Sequence, residues 1–297
     1  MCSPFRNSEN DNRFMTRKSA TQFIAFICLR VLCYLVVAAT GYIILDIVVK
    51  GWPRLSWEFV SAMPRNRMSE GGILPAIAGT IWLVLLTVAL AFPLGIGAAI
   101  YLSEYAHHGR LNRAIRLAIA NLAGVPSVVF GLFGLGVFVV FLNFGTSLLA
   151  SAFTLALMIL PVIITASEEA LRTVPQGFRE GSYALGASKW LTIRRNVLPY
   201  ALPGMLTGSI LSVSRVAGET APVLLTGAAL SASMPQSVFD QIMILPYHLF
   251  ILATNMYPAK VYLPIAYTTA LVLLLVVLGL NAIAVVIRYV VRRKHAF

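Results

Sequence analysis

The chain has 297 residues, of which 59% are hydrophobic and only 11% are charged. Soluble domains carry about a quarter of their residues as charged side chains, so this composition excludes an ordinary soluble protein and indicates a helical membrane protein. The net charge of +12 fits nucleic-acid binding by number alone, but the placement of the basic residues, described below, argues against that partner.

The amino-terminal part of the chain is polar up to residue 21, and we expect residues 1–21 to form a short disordered cytoplasmic tail. An apolar run follows at residues 22–49. A cleaved signal peptide is the competing interpretation, but this run is longer than a signal's apolar core and further spans follow, so we expect an uncleaved helix. Cys2, Cys28 and Cys33 form no paired motif with histidine, and we expect neither a metal site nor a disulfide.

Five further apolar segments bring the expected number of membrane helices to six. The apolar middle of residues 228–260 is interrupted by Asp240 and Pro246, so we expect an interfacial or re-entrant element there rather than a seventh span. The neighbouring His107 and His108 cannot face one ligand from a helix, and a solvated loop is expected. The expected spans, all within a transmembrane domain at 22–297, are 22–49, 73–101, 117–142, 146–166, 198–227 and 261–287.

Lys and Arg are distributed unequally between the two sides of this arrangement. With the amino terminus inside, the inner segments hold 16 of the 23 Lys and Arg residues, whereas the outer segments hold five. Cytoplasmic segments carry such a surplus, so we expect a multi-pass protein of the cytoplasmic (inner) membrane with both termini in the cytoplasm. The basic surplus is therefore explained by topology, and we expect no nucleic-acid partner.

Residues 167–199 form a long polar connection on the expected cytoplasmic side. Pro175 suits the first position of a helix, and a second apolar stripe begins at Trp190, after an interruption at Gly186. Two short amphipathic helices joined at a glycine can enter a groove on a partner protein. A solvated connection that lies on the bilayer surface fits the same spacing, and spacing alone leaves both interpretations open.

A motif in this connection resembles the Glu-Ala-Ala loop of the permease subunits of ABC importers. In that family Glu-Ala-Ala is followed by three residues, Gly, nine residues and Ile-x-Leu-Pro. The matching residues here are Glu180, Gly186, Leu198 and Pro199. Gly181 and Ser182 replace the alanines by other small residues, and Asn196 replaces the isoleucine. The resemblance covers about residues 74–288 and implies that 167–199 is a coupling loop that docks on an ATPase subunit.

No lysine in the chain follows a glycine, so a phosphate-binding loop of the GxxxxGK[ST] type is absent from the sequence. If ATP drives this protein, a separate subunit supplies the nucleotide chemistry. The resemblance accordingly implies that ATP and Mg²⁺ are bound by partner subunits, that this chain binds no cofactor, and that it is not an enzyme.

Arg215 and Glu219 are four residues apart in an apolar segment, and in a continuous helix they share one face. Each charge inside a span costs about 2.5–3.5 kcal/mol on insertion scales, which argues for a purpose. A structural ion pair between spans is one interpretation, and a gate or contact for a charged substrate is the other. Arginine suits an oxyanion, because its planar fork matches two oxygens at once.

The sequence Arg215-Val-Ala-Gly-Glu-Thr-Ala-Pro222 resembles the fifth-span signature of the PstA group of phosphate-importer permeases, and PSVVFGLFGLG at 126–136 resembles the third-span start of both PstA and PstC groups. The resemblance implies an all-α, type I ABC importer permease fold that translocates inorganic phosphate, with Arg215, Glu219 and Thr220 on the substrate path. It also implies three kinds of partner: a PstC-like second permease, a dimeric ATPase and an extracytoplasmic phosphate-binding protein.

Three other functions each fit part of the sequence. A permease for another oxyanion, such as sulfate or molybdate, shares the Glu-Ala-Ala loop but not the narrower Arg-to-Pro signature. An intramembrane enzyme needs clusters of nucleophiles, acids or metal ligands in the spans, and apart from Arg30 and Asp46 only Arg215 and Glu219 are charged there. An assembly or scaffold protein has no need of a charged pair within a span.

Overall fold

The computed structural model describes residues 8–106, 109–231 and 233–294. Five helices of the described part are long and apolar enough to cross a membrane, and one bent pair of helices makes a sixth candidate. The expected all-α membrane architecture is thus confirmed. His107, His108 and Cys2 lie outside the described residues, so the expectations for them stay predictions.

The helices are α1 (Ser8–Gly51), α2 (Trp57–Ser61), α3 (Leu74–Ile100), α4 (Arg110–Ala123), α5 (Ser127–Gly134), α6 (Leu148–Arg172), α7 (Gln176–Ala184), α8 (Lys189–Thr192), α9 (Leu198–Gly218), α10 (Ala221–Thr226), α11 (Leu245–Thr254) and α12 (Ala259–Lys294). Three π-helical turns extend or connect them: Tyr101–Tyr105, Leu135–Phe141 and Ile193–Val197. Strands β1 (Pro64–Arg65) and β2 (Glu70–Gly71) form a small antiparallel hairpin.

The chain divides into two compact units, Met1–Lys50 and Gly51–Phe297. Most of the described part of the first unit is α1, which contains the expected first span. This helix begins at Ser8, so the disordered tail expected for residues 1–21 is wrong from residue 8 onward. The physical reason is that no glycine or proline occurs in residues 8–21 to interrupt a helix that the span continues.

The second unit is built around α6, which packs between α3 and α9. Its central residues Leu155 and Ile159 are fully buried and form one core cluster with Leu83 of α3 and Val216 of α9. A second cluster joins the hairpin region to α11 and α12, and a third lies where α3, α6 and α9 meet the connection after α6. The three clusters make the second unit one packed body from end to end.

The third expected span, 117–142, is wrong in its first part. α4 and the segment Ser127–Phe141 are separate helices with an angle of 103° between them. Gly124 caps the end of α4, and Pro126, which has no N–H to donate, stands immediately before α5. The apolar residues 117–123 therefore belong to an amphipathic helix and not to the span.

The fourth span is longer than the sequence predicts. We expected it to end at Ala166, but α6 continues to Arg172. The continuation contains Glu168, which reads as a loop residue in the sequence but is buried and forms an ion pair with Arg116 of α4. A charged residue with a partner is tolerated inside a packed helix, and composition alone does not reveal that partner.

The apolar segment after α10 contains no seventh long helix among the described residues. α11 has ten residues and is about 15 Å long, too short to cross a bilayer. It packs against α12, and Leu245 and Leu252 are buried beside Tyr262. An isolated bridge between Ala228 and Ile242 fixes the chain that leads into it.

Candidate functional site

The Arg215–Pro222 signature lies across a helix break. α9 ends at Gly218, and Glu219 has extended backbone with φ −74° and ψ 134°. Thr220 caps the start of α10, which carries Pro222 in its first turn. The expected continuous span 198–227 is therefore wrong, because the chain leaves the helix inside the signature itself.

Arg215 and Glu219 nevertheless approach each other across this break. Arg215 Nε lies 3.6 Å from Glu219 Oε1, which is an ion pair but longer than a good hydrogen bond. The Arg215 side chain is 42% exposed and that of Glu219 is 17% exposed. Both groups thus keep hydrogen-bonding capacity for a further partner, which a tight bidentate pair would lack.

Arg215 is on the exposed side of α9, whereas the neighbouring Val216 and Ala217 are buried in the core. It lies about 26 Å along the helix from Leu198, at the end of α9 that is far from the coupling loop. The residue immediately before it, Ser214, bonds Asn281 of α12 through their side chains at 2.6 Å. The arginine is therefore carried by a helix end that is anchored on its inner side.

The two segments that resemble phosphate-importer permeases pack on each other. A Cβ atom placed on Gly131 of α5 would lie 2.9 Å from Pro222 Cα and 3.1 Å from Leu225 Cδ1 of α10. Only glycine permits this approach of the two helices, since real Cβ contacts are longer. The glycine-rich start of the third span and the end of the signature thus belong to one packed site.

The coupling loop forms two short helices, as the spacing predicts. α7 starts at Gln176, after Pro175, and α8 starts after Ser188, whose side chain accepts the Leu191 N–H. Gly186 between them has φ +80°, a left-handed conformation that favours glycine. A buried hydrogen bond of 2.9 Å joins the Ser182 and Thr192 hydroxyls, so the two helices are held as one knob.

The outer surface of this knob is apolar. Leu185 is 91% exposed and Trp190 is 58% exposed, with Phe178 and Tyr183 also exposed nearby. Glu180 is exposed on the same knob. Leu198 and Pro199 do not belong to this exposed surface. They are the first two residues of α9 and are half-buried, so they help to position α9 after the knob. Exposed apolar side chains grouped on a polar segment mark an interaction surface.

Arg179 anchors the knob to the membrane helices. Its guanidinium bonds Glu104 Oε1 at 2.7 Å and the carbonyl oxygens of Val174 and Leu171 at 2.8 and 3.0 Å. Its side chain is 13% exposed and that of Glu104 is 8% exposed, so the ion pair is largely removed from solvent. A single residue of α7 thereby holds the end of α6 and the π-helical turn after α3.

Two more contacts converge on that π-helical turn, Tyr101–Tyr105. Arg116 of α4 donates a hydrogen bond of 2.8 Å to the Leu102 carbonyl and pairs with Glu168 of α6. Lys189 of α8 lies over the Tyr105 ring, 4.9 Å from its centre. Both α7 and α8 therefore contact the end of α3 directly, through Arg179 and Lys189.

Sequence reasoning missed this anchor. Arg179 stands immediately before Glu180 of the motif, but the motif itself gives no reason to single it out. Glu104 follows the second span in what reads as a basic solvated loop. The available signal was the one carboxylate in that loop, since a lone acidic group at a span end often has a basic partner.

Comparison with known proteins agrees with this geometry. Residues 91–295 match the family described as binding-protein-dependent transport system inner membrane component. The chain belongs to this family. It is 40% identical over 256 residues to the phosphate transport system permease protein PstA 1 of Mycobacterium tuberculosis, covering 84% of this chain and 82% of the relative. It is 34% identical to a probable phosphate transport system permease protein PstA of Methanocaldococcus jannaschii, covering 84% and 86%.

Solved structures of importers share the fold of this permease. One chain of a bacterial alginate ABC transporter in complex with a pentasaccharide-bound periplasmic protein superposes with a TM-score of 0.64 and 14% identity, covering 91% of this chain and 95% of that one. A chain of the MetNI methionine ABC transporter gives 0.61 and 20% identity, covering 74% and 95%. The type I ABC importer permease fold is thus confirmed.

The family also establishes what kind of protein this is. Its members are multi-pass membrane permeases that work with an ATPase and a substrate-binding protein, and they are not enzymes. The permease therefore depends on partners for both energy and substrate delivery.

We expect Arg179→Gln to destabilise the permease strongly, because it leaves the buried Glu104 carboxylate without its cation. Removing one partner of a buried ion pair costs about 3–5 kcal/mol. Thermal unfolding of the purified permease in detergent measures the effect. Arg195→Gln, at an exposed arginine of the coupling segment, is the matched control and should unfold like wild type.

The double variant Arg179→Gln, Glu104→Gln separates the pair from the rest of the arginine's contacts. It should lose clearly less stability than the sum of the two single variants, because no charge is then left unpaired. Additive losses would contradict a direct energetic link between α7 and the end of α3.

Proposed function

We propose that this permease translocates inorganic phosphate across the cytoplasmic membrane, driven by ATP hydrolysis on a partner subunit. The observation that carries the proposal is the Arg215–Pro222 signature at a helix break, in a chain with 40% identity to a phosphate permease over most of both lengths. An arginine with unused donors at such a break is suited to a mobile oxyanion.

Arg215 attracts the oxyanion, and Glu219 governs its release. In the empty state Glu219 compensates the arginine at 3.6 Å, so admitting phosphate means exchanging one partner for another. The long distance and partial exposure of the pair support an exchangeable contact over a fixed bridge. A transporter needs such weak holding, because it must release what it admits.

Glu219 also supplies a basis for selectivity. Phosphate at neutral pH keeps a P–OH donor, whereas sulfate has none. The Glu219 carboxylate can accept a hydrogen bond from the P–OH of phosphate, whereas it repels sulfate, which has no proton to donate. A polar group left without its hydrogen bond discriminates strongly between two such ligands. Thr220, which begins α10 at the same break, offers a hydroxyl to the same path.

Four partners complete the proposed assembly: a PstC-like second permease, a dimeric ATPase, an extracytoplasmic phosphate-binding protein and the lipid bilayer. The exposed position of Arg215 on α9 supports a site that a second permease completes. The apolar knob formed by α7 and α8 supports docking on the ATPase, with Leu185 and Trp190 as the apolar contacts. ATP and Mg²⁺ then belong to the ATPase, and this chain binds no cofactor.

The orientation proposed for the permease places both termini and the knob in the cytoplasm. Its support is the surplus of Lys and Arg in alternate connections. In a background without the native cysteines, Trp57→Cys should react with a membrane-impermeant thiol reagent added to intact cells, and Lys189→Cys should react only after lysis. Labelling of Lys189→Cys in intact cells would reverse the topology.

We expect Gly186→Leu to uncouple the permease from its ATPase. The space around Gly186 is open, but its left-handed backbone is strained for any L side chain, so leucine favours a rearranged turn between α7 and α8. Co-purification of the ATPase and phosphate uptake should both fall, while membrane insertion is kept. Gly181→Ala is the matched control, because that site has open space and ordinary backbone. Normal co-purification and uptake by Gly186→Leu would exclude the docking role.

Uptake of radiolabelled phosphate by membrane vesicles that hold the assembled transporter tests the function itself. Wild type should accumulate phosphate only when ATP is present on the side of the membrane that carries the ATPase. Arg215→Gln should abolish this uptake while the amount of permease in the membrane is unchanged. Arg292→Gln, an exposed arginine near the end of α12, is the control. Accumulation of sulfate or molybdate in place of phosphate would reassign the substrate.

Glu219→Gln should lower phosphate uptake and relax discrimination against sulfate, measured as the ratio of the two uptake rates. The amide removes the negative charge that repels sulfate while keeping the side-chain shape. An unchanged ratio would remove the hydrogen-bond filter, and uptake that survives Arg215→Gln would reduce the pair to a structural bridge.

A further inference from the structure

A second concentration of arginine lies beside the coupling knob, far from Arg215. A cavity of about 580 Å³ opens there, and seven of its nine lining residues carry polar or charged side chains. A cavity with this lining favours a polar ligand. The lining residues are Leu102, Ser103, Glu104, Ala106, Asn112, Arg116, Arg172, Gln176 and Arg179.

Four elements of the fold meet at this cavity. The π-helical turn after α3 contributes Ser103 and Glu104, and α4 contributes Asn112 and Arg116. Arg172 is the last residue of α6, and the helix α7 contributes Gln176 and Arg179. The cavity thus sits at the joint between the membrane helices and the coupling knob.

The charges of the cavity are unevenly compensated. Arg116 is paired with Glu168, and Arg179 is paired with Glu104. Arg172 is exposed, and its side chain forms no ion pair or hydrogen bond with the other described residues. Three guanidinium groups therefore face two carboxylates, and the uncompensated charge is that of Arg172.

We propose that this cavity binds a phosphate group, either as free inorganic phosphate or as the headgroup of an anionic phospholipid. Arginine's planar fork matches phosphate oxygens, and the hydroxyl of Ser103 and the amide of Gln176 supply further donors in the same lining. Glu104 and Glu168 do not prevent this, because each is already paired with an arginine.

Occupancy of the cavity regulates the permease. A phosphate held by Arg172 and the α7 side chains joins the end of α6 to the knob and to α4. If the joint changes shape during the transport cycle, a ligand that fits one shape holds the cycle there. Phosphate that has accumulated in the cytoplasm therefore slows the transport cycle by binding in this cavity. This part of the inference rests on the proposed function, whereas binding in the cavity does not.

The test uses the assembled transporter in nanodiscs made of neutral lipid, with inorganic phosphate as the probe and chloride at equal ionic strength as the salt control. Hydrogen exchange of the amides at residues 173–186 reports binding, and ADP formation reports turnover. Arg172→Gln is the test variant. Arg292→Gln is the matched control, since that arginine does not line the cavity.

Phosphate should slow exchange at residues 173–186 and lower the rate of ADP formation in wild type and in Arg292→Gln. Arg172→Gln should keep its basal rate of ADP formation, but require about tenfold more phosphate for both effects, because one charge-assisted contact is lost. Phosphate also inhibits the ATPase as a product of ATP hydrolysis, but this inhibition is the same in wild type, Arg292→Gln and Arg172→Gln. It therefore cannot produce a difference between the variants in the phosphate concentration required.

Nanodiscs that contain phosphatidylglycerol distinguish the two sources of the phosphate group. If the lipid, and not free phosphate, slows exchange at residues 173–186 in an Arg172-dependent way, the binding site stands and its ligand is the headgroup. If neither has an Arg172-dependent effect on exchange, the proposal is overturned. Uptake is measured separately with the same transporter in sealed vesicles. If wild type binds phosphate in the cavity but accumulates none in the vesicles, the proposed function is overturned and the binding site stands.

Discussion

The buried ion pair between Arg179 and Glu104 is the interaction on which the working of this permease depends. Two opposite charges largely removed from water are stable only together, so α7 has a defined position relative to the end of α3. The same guanidinium bonds two carbonyl oxygens at the end of α6. One side chain thus converts a short surface helix into a rigid extension of the membrane core, and a force applied to the knob reaches the spans without passing through a flexible loop.

The end of α9 that carries Arg215 is adjustable, in contrast to the rigidly held knob. Its last turn is anchored through Ser214 and Asn281, but the chain then leaves the helix at Glu219, and the partner of Arg215 stands on extended backbone. A charged pair across a break changes its distance with a small change in backbone torsion, whereas a pair within a helix does not. Rigid anchoring at the coupling end and an adjustable pair at the other are both needed if movement at one is to change the binding of an anion at the other.

Much of this was predictable from sequence, and the failures have physical causes. The all-helical membrane fold, the knob around Gly186 and the family follow from hydropathy, turn chemistry and motif spacing. The end of α6 was wrong because Glu168 has its partner 52 residues away on another helix. The break after Gly218 was missed because the apolar residues on both sides of it read as one span, although Gly218 and Pro222 each disfavour a helix interior. Hydropathy contains neither the distant partner of a charge nor a short break in an apolar run.

The exposed Leu185 has a consequence for the life of the protein in the cell. Its side chain is 91% exposed and that of Trp190 on the same knob is 58% exposed, and the proposed docking on an ATPase would cover this apolar surface. A copy made in excess of its ATPase therefore keeps this surface open to chaperones and proteases. The proposed docking thus predicts that the abundance of the permease follows the supply of its ATPase, because unassembled copies are degraded after synthesis.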